Sequence, residues 1–468
     1  MVFLIVLIWP GYTMVQKRQF EEHVDYLRSI GEPVSIAGIS DAIESNPEQN
    51  FAETSIVRFF RGLEIEESEK SWNTPVNFDL KTLHGYTNPT EKRSVSYIFT
   101  PPVQAHFPDI TPEEAREKFE DFYTKHSAAI SALEESVRLP DCRFPIDLND
   151  EMISPLFEYT NPFMKFSHLV STRGRHHLEK GNITEAAYDA ETIILLSERI
   201  FADHFILPQI VGYIFLQQGI SIIQQGLAQS LWSNDQMRTF DELLSRFKLQ
   251  TNLLKAIRDE RVGWFEFGYL DKEGRDKVRK SGLDLNGNFH PLIPSGWYYD
   301  NFTKASELLQ LGILSDASGN RAINHLPASS TIERLMTALN SEHHTRIRYR
   351  LAANCIPNYG VLFDRALRTE TYIHHARIAI ALEKFRKNKG TFPTDVSQIS
   401  PPLPVEITTD PFSKSPMRYK LLASDSYEIY SVGANKVDDG GQIRWRLNDG
   451  DWVWRLSLPE DFDYSTYR

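Results

Sequence analysis

The sequence predicts an α+β protein, predominantly α: a helical bundle body followed by a long helix packed on a small antiparallel sheet. Three observations predict it. Apolar residues recur at helical spacing through several segments between 163 and 353. Val361 to Lys389 then keeps that spacing without a break, and Gly390 and Pro393 stop it. Short β-type runs, separated by Gly433 and Asp438–Asp439–Gly440–Gly441, follow at once.

Composition sets the frame. A chain of 468 residues exceeds one ordinary core. Phe, Tyr and Trp number 28, 19 and 8, so apolar surface is ample, which argues against large-scale disorder. A formal net charge of −12 argues against nonspecific nucleic-acid binding, which runs on clustered Lys and Arg. The basic stretch His343–Arg350 reads as a solvated helix face. Cys142 and Cys355 lie far apart and outside any CxxC, so they read as buried thiols.

Val2 to Trp9 is an unbroken apolar run, interrupted by Pro10 and Gly11 and closed by Lys17–Arg18. It is shorter than the roughly 20 residues that span a bilayer. Three readings fit: an anchor helix with further residues upstream, a short anchor, and a buried core segment. Residues 1–16 are taken as a membrane anchor, and tethering is the working expectation.

Residues 17–140 form a mixed region. A short amphipathic helix should cover 17–30 and stop at Gly31. The stretch 34–110 is Pro-punctuated, with a strand-like Val95–Thr100. Thr111–Pro112–Glu113–Glu114 is a helix start, with a cap, a first-turn Pro and acidic residues at the positive dipole end; that helix should reach about Arg138. Residues 139–150 read as a linker. Residues 141–355 are predicted to be an all-helical bundle with helices at 163–180, 183–201, 205–230, 234–260, 301–313 and 329–353. Gly181–Asn182 should turn a helical hairpin. Asp284–Asn288 hints at a calcium loop, but the spacing of Gly and Glu does not match an EF-hand.

Residues 356–468 carry the α+β module. Strands are expected at Met417–Leu422, Tyr427–Val432, Ile443–Leu447 and Trp452–Leu456. Four ordered motifs lie here: Gly390–Thr391–Phe392–Pro393 after Ala379–Arg386; Asp410–Pro411–Phe412 with Tyr419; Tyr427–Asn435; and Gly440–Gly441. Together they resemble the globular head of the major type II secretion pseudopilin. The resemblance covers about a quarter of the chain. It implies a pseudopilin-like fold, envelope localisation with an extracytoplasmic body, and contacts with pseudopilin-fold or other envelope proteins. It also implies a calcium loop whose ligands, by position, are Asp438, Asp439, Asp449 and Asp451, the hard oxygen donors such an ion takes. Asn435 stands where the family has Asp, and Gln442–Asn448 is an insertion. A solvated acidic turn is the plain alternative. The chain departs from the family at its other end: some 350 residues precede the module, and Met1–Val15 holds no glutamate. The whole layout resembles a group of long membrane-anchored bacterial proteins ending in this module, which implies no activity.

No P-loop, G-x-S-x-G, H-E-x-x-H or dinucleotide fingerprint occurs. Ser245–Lys248 matches S-x-x-K, a short pattern that chance supplies. The pairs His176–His177, His343–His344 and His374–His375 are adjacent on helices, about 100° apart, and so cannot both ligate one metal easily. Glu64, Glu66, Glu67 and Glu69 form a charged surface run. The expectation is therefore a non-enzymatic, membrane-tethered interaction protein of the cell envelope. Two alternatives stand beside it: an accessory part of a secretion or pilus-like assembly, and an enzyme with a site in the helical middle.

Overall fold

The structure, a computed structural model, describes residues 2–39, 46–61, 112–144, 160–269, 294–314, 337, 348–356, 359–442 and 450–456. Several expectations fall outside these residues: Val95–Thr100, the Glu64–Glu69 run, the Thr111 cap, Asp284–Asn288, His343–His344, most of 329–347, Ile443–Leu447 and Asp449.

Helix α1 (Val2–Ser29) is one continuous element of 28 residues, not an apolar run followed by a separate helix at 17–30. Pro10 lies inside it; the missing N–H removes one helical bond without ending the helix. From Tyr12 onward α1 contacts residues 296–306. Short helices α2 (Ile36–Ile39) and α3 (Ser55–Phe60) follow. Helix α4 (Pro112–Ser136) ends near the expected place. The segment after it is no free linker. Phe51 donates its N–H to the Asp141 carbonyl at 2.8 Å, and Asn50 exchanges two bonds with Arg143.

The bundle is built on α5 (Thr160–Lys180), α6 (Ile183–Phe201) and α7 (Ile206–Ala228). Gly181, at φ +76°, turns α5 into α6 as the Gly-Asn pair predicts. Gly219 lets α6 and α7 touch: a Cβ there would stand 2.7 Å from Ile194. Among the described residues α7 is the one helix long and apolar enough to cross a membrane, yet 72% of its most apolar window is buried inside the fold. Phe215, Leu216, Ile222 and Ile223 are fully buried there, so its apolar content serves the core.

The helix expected over 234–260 is two. Helix α8 (Asn234–Ser245) opens on a Ser233–Gln236 capping box, and α9 is Leu249–Tyr269. The turn between them points Phe247 at Phe201, with ring centroids 5.9 Å apart. Helix α10 (Ser295–Leu309) starts six residues earlier than expected, behind Pro294, and runs into a π-turn at Gln310–Leu314. Helix α11 (Arg350–Cys355) is the described end of the stretch predicted at 329–353.

Helix α12 (Tyr359–Lys389) is the long helix, closed by Gly390 at φ +85°. A short α13 (Val405–Thr408) precedes a three-stranded antiparallel sheet, β1 (Arg418–Ala423), β2 (Ser426–Ser431) and β3 (Trp452–Arg455), in the order β1-β2-β3. Tyr419 faces Ile429, and Ile429 faces Trp454. The fold is α+β and predominantly helical. One apolar core cluster holds residues from Phe51 through the bundle and α12 to Trp454 and Leu456. A second cluster joins Phe20, Val24 and Leu27 of α1 to Phe265, Tyr299 and Phe302.

Candidate functional site

The motif residues of the carboxy-terminal module converge on one hydrogen-bonded scaffold. The Asp410 carboxylate, fully buried, accepts bonds from Phe412 N (2.9 Å), Ser431 Oγ (2.8 Å) and Val432 N (3.0 Å). Ser413 and Arg418 complete its set at 3.0 and 3.4 Å. Tyr419 donates its hydroxyl to the Pro393 carbonyl at 2.7 Å, and Phe392 meets Tyr427 edge-on at 4.8 Å. Phe412 meets Trp452 the same way at 4.4 Å. Each sequence motif thus fastens another.

The acidic loop is held by the same logic. Asp451, buried, accepts the N–H of Asp439 at 3.2 Å and of Gly441 at 2.6 Å. Burial pushes its carboxyl up from the ordinary range, and these two donors pull against that. Asp438 accepts from Gly440 N at 3.0 Å and Arg418 Nε at 3.2 Å, and Asp439 accepts from Asn435 at 3.1 Å. Gly441, at φ +85°, lies where a Cβ would stand 2.0 Å from the Glu428 carboxylate. That close approach lets Arg455 bond both Glu428 (2.6 Å) and the Gly441 carbonyl (3.0 Å). The three described aspartates of the expected calcium set therefore face N–H donors rather than a common centre. Among the described residues no three His, Cys, Asp or Glu side chains are grouped to hold a metal.

The histidine pairs part company. His177 Nδ1 lies 3.0 Å from Asp189, while His176 is separate from that contact. His374 and His375 are buried in α12, His375 against Trp454 of β3; neither ring nitrogen of His375 has a hydrogen-bond partner among the described residues. Burial pushes His374 down to about 4 and His375 to about 3. Both are neutral core residues. Cys142 and Cys355 are free thiols, and burial pushes Cys355 up to about 12. Neither is poised as a nucleophile.

One cluster escaped the sequence reading. Arg173, buried in α5, bonds Asp189 of α6 at 3.0 and 3.1 Å through Nε, Tyr123 of α4 at 2.6 Å, and Glu134 of α4 through Nη2. Burial pushes the Glu134 carboxyl up while Arg173 pulls it down. The signal was present: Arg173 keeps helical phase with buried Phe166 and Val170, and Asp189 with Ala186 and Ile193. Two charges on core phase in consecutive helices mark an internal ion pair. Its donors are all satisfied inside the protein, so it staples α4, α5 and α6 together. Glu260 of α9 is half-buried, and desolvation pushes its carboxyl up to about 7.

What this arrangement does is hold an exposed loop on a hydrogen-bonded module. Val437 is 56% exposed, on a turn fixed from both sides by Asp438 and Asp451. Comparison of the chain with protein-family models, with curated proteins and with solved structures finds no match.

Proposed function

We propose that this chain is a non-enzymatic, membrane-tethered interaction protein of the cell envelope. In this reading the amino-terminal segment holds it at the membrane, the body lies outside the cytoplasm, and a pseudopilin-like head engages partners. The observation that carries the reading is the head. The residues behind the resemblance, Asp410, Tyr419, Phe392 and Gly441, are the ones that brace it. A scaffold braced by its own motif residues presents its loops as a preformed surface. The partners it suits are pseudopilin-fold or other envelope proteins, and an accessory role in a type II secretion or pilus-like assembly follows if those partners belong to such a machine. Membrane fractionation tests the tether. The full chain should pellet with membranes and resist a high-salt wash, and a variant lacking residues 2–11 should be released. A full chain released by salt would contradict it.

Calcium at the 433–451 loop is a separate proposal that rests on the resemblance. Each Asp451 oxygen already accepts one N–H, and an ion would take the lone pairs that remain. Millimolar calcium should then raise the melting temperature, and Asp451→Asn should abolish the rise. No shift in the parent chain removes the site.

A further inference from the structure

The start of α10 lies beside the apolar end of α1. Gly296 packs on Thr13, with its N–H 3.3 Å from Thr13 Oγ1, and a Cβ at Gly296 would stand 2.8 Å from the Thr13 backbone. Further along, Tyr12 donates to Asp300 at 3.2 Å, Phe20 meets Tyr299 at 5.3 Å, and His23 meets Ser306 at 2.8 Å. From the Thr13–Gly296 contact to the His23–Ser306 contact both helices advance by ten residues, so α1 and α10 run parallel. The first turn of α10 is therefore level with Thr13, one turn past the apolar run.

At that level the protein surface is apolar. Met14 is 74% exposed and Val15 53%. A shallow, almost wholly apolar groove is lined by Trp9, Pro10, Thr13, Met14, Lys17 and Pro294. Trp297 and Tyr298 stand at the same level as an edge-to-face pair, 5.3 Å apart. Aromatic rings of this kind collect at headgroup depth in bilayers. Lys17 and Arg18 come next along α1. Each has a carboxylate neighbour, Glu21 at 3.7 Å and Glu22 at 2.8 Å, but both pairs are exposed and worth little, so their cations remain open to phosphate. Apolar side chains, then aromatics, then cations is the order in which a bilayer presents its complementary layers.

We propose that the first turn of α10, together with Trp9, Met14 and Val15 of α1, forms one lipid-facing surface, and that the body sits directly on a phospholipid bilayer rather than on a stalk. This rests on the reading of α1 as the tether. The occupant is the headgroup and upper acyl region of the bilayer, which the continuity with Val2–Trp9 selects over a protein partner.

The test uses the full chain in phosphatidylcholine–phosphatidylglycerol vesicles. Single cysteines at Met14→Cys, Ser295→Cys and Asp425→Cys, the last on the exposed β1–β2 turn, carry an environment-sensitive fluorophore. The parent chain, with its two native thiols, supplies the background. Lipids spin-labelled near the headgroup should quench positions 14 and 295 several-fold more than position 425. Quenching at 14 without quenching at 295 would overturn the proposal and leave the tether standing. No quenching at either position, from protein that fails to float with the vesicles, would remove both. Equal quenching at all three would show nonspecific adsorption and also overturn it.

Discussion

The Asp410 carboxylate accepts the backbone N–H of Val432 at 3.0 Å, across 22 residues and with no access to water. One side chain thus ties the loop before β1 to the end of β2. Its other oxygen takes the Ser431 hydroxyl at 2.8 Å. Replacing Asp410 by Ala leaves several buried donors unpaired. The expected cost is about 3 kcal/mol, read as a lower urea midpoint with an unchanged m-value. A loss below about 0.5 kcal/mol would contradict the bracing role.

The Arg173–Asp189 pair should behave as a coupled unit. Arg173→Met alone strands two buried carboxylates, and Asp189→Asn alone strands part of the guanidinium. Each should cost about 3 kcal/mol or more. The double variant should cost clearly less than the sum, because the Arg173–Asp189 interaction is then lost only once, with Glu134 unpaired in both Arg173 variants. Additive losses in a double-mutant cycle would show the two groups are independent.

Gly441→Ala tests the close approach in the head. The added methyl meets the Glu428 carboxylate at 2.0 Å and sits at φ +85°. A loss of about 2 kcal/mol is expected. Gly181→Ala, at φ +76° with open space around it, should carry only the backbone part of that cost. Equal losses at the two positions would remove the Glu428 contact from the explanation.

Stability should fall on mild acidification. Burial holds His374 near 4 and His375 near 3, with Glu406, Arg377 and Asp410 as the charged neighbours, whereas the unfolded chain takes up these protons near 6.5. The unfolded state therefore binds more protons as pH drops below about 6.5, and stability declines progressively from there toward pH 4. His375→Phe should flatten that decline in denaturation curves from pH 7 to 4.5. An unchanged slope would place the pH dependence elsewhere.

Much of the fold was legible because its signals are local. Gly181 and Gly390 both sit at the positive φ their positions demand, and α6, α12 and the strand pair 418–431 lie close to where periodicity puts them. What was not legible depends on partners distant in sequence. Pro10 looked like a stop because nothing local says that Tyr12 and Phe20 will be held by α10. The break at 246–248 answers to Phe201, some 45 residues away. The acidic loop shows the same dependence: the resemblance names Asp438, Asp439 and Asp451, but only the fold shows that Asp438 accepts Gly440 N–H and Asp451 accepts the N–H groups of Asp439 and Gly441.

The central claim is an interaction protein working through its head, and native capture tests it most directly. A photo-reactive residue at Val437, in cells expressing the full chain, should cross-link a defined partner of pseudopilin-like or other envelope type. That partner should be recovered in stoichiometric amount from the membrane fraction and lost when Gly441→Ala distorts the loop. No stoichiometric partner, with the protein folded and at the membrane, would contradict the account and turn attention to the buried acids of the helical middle.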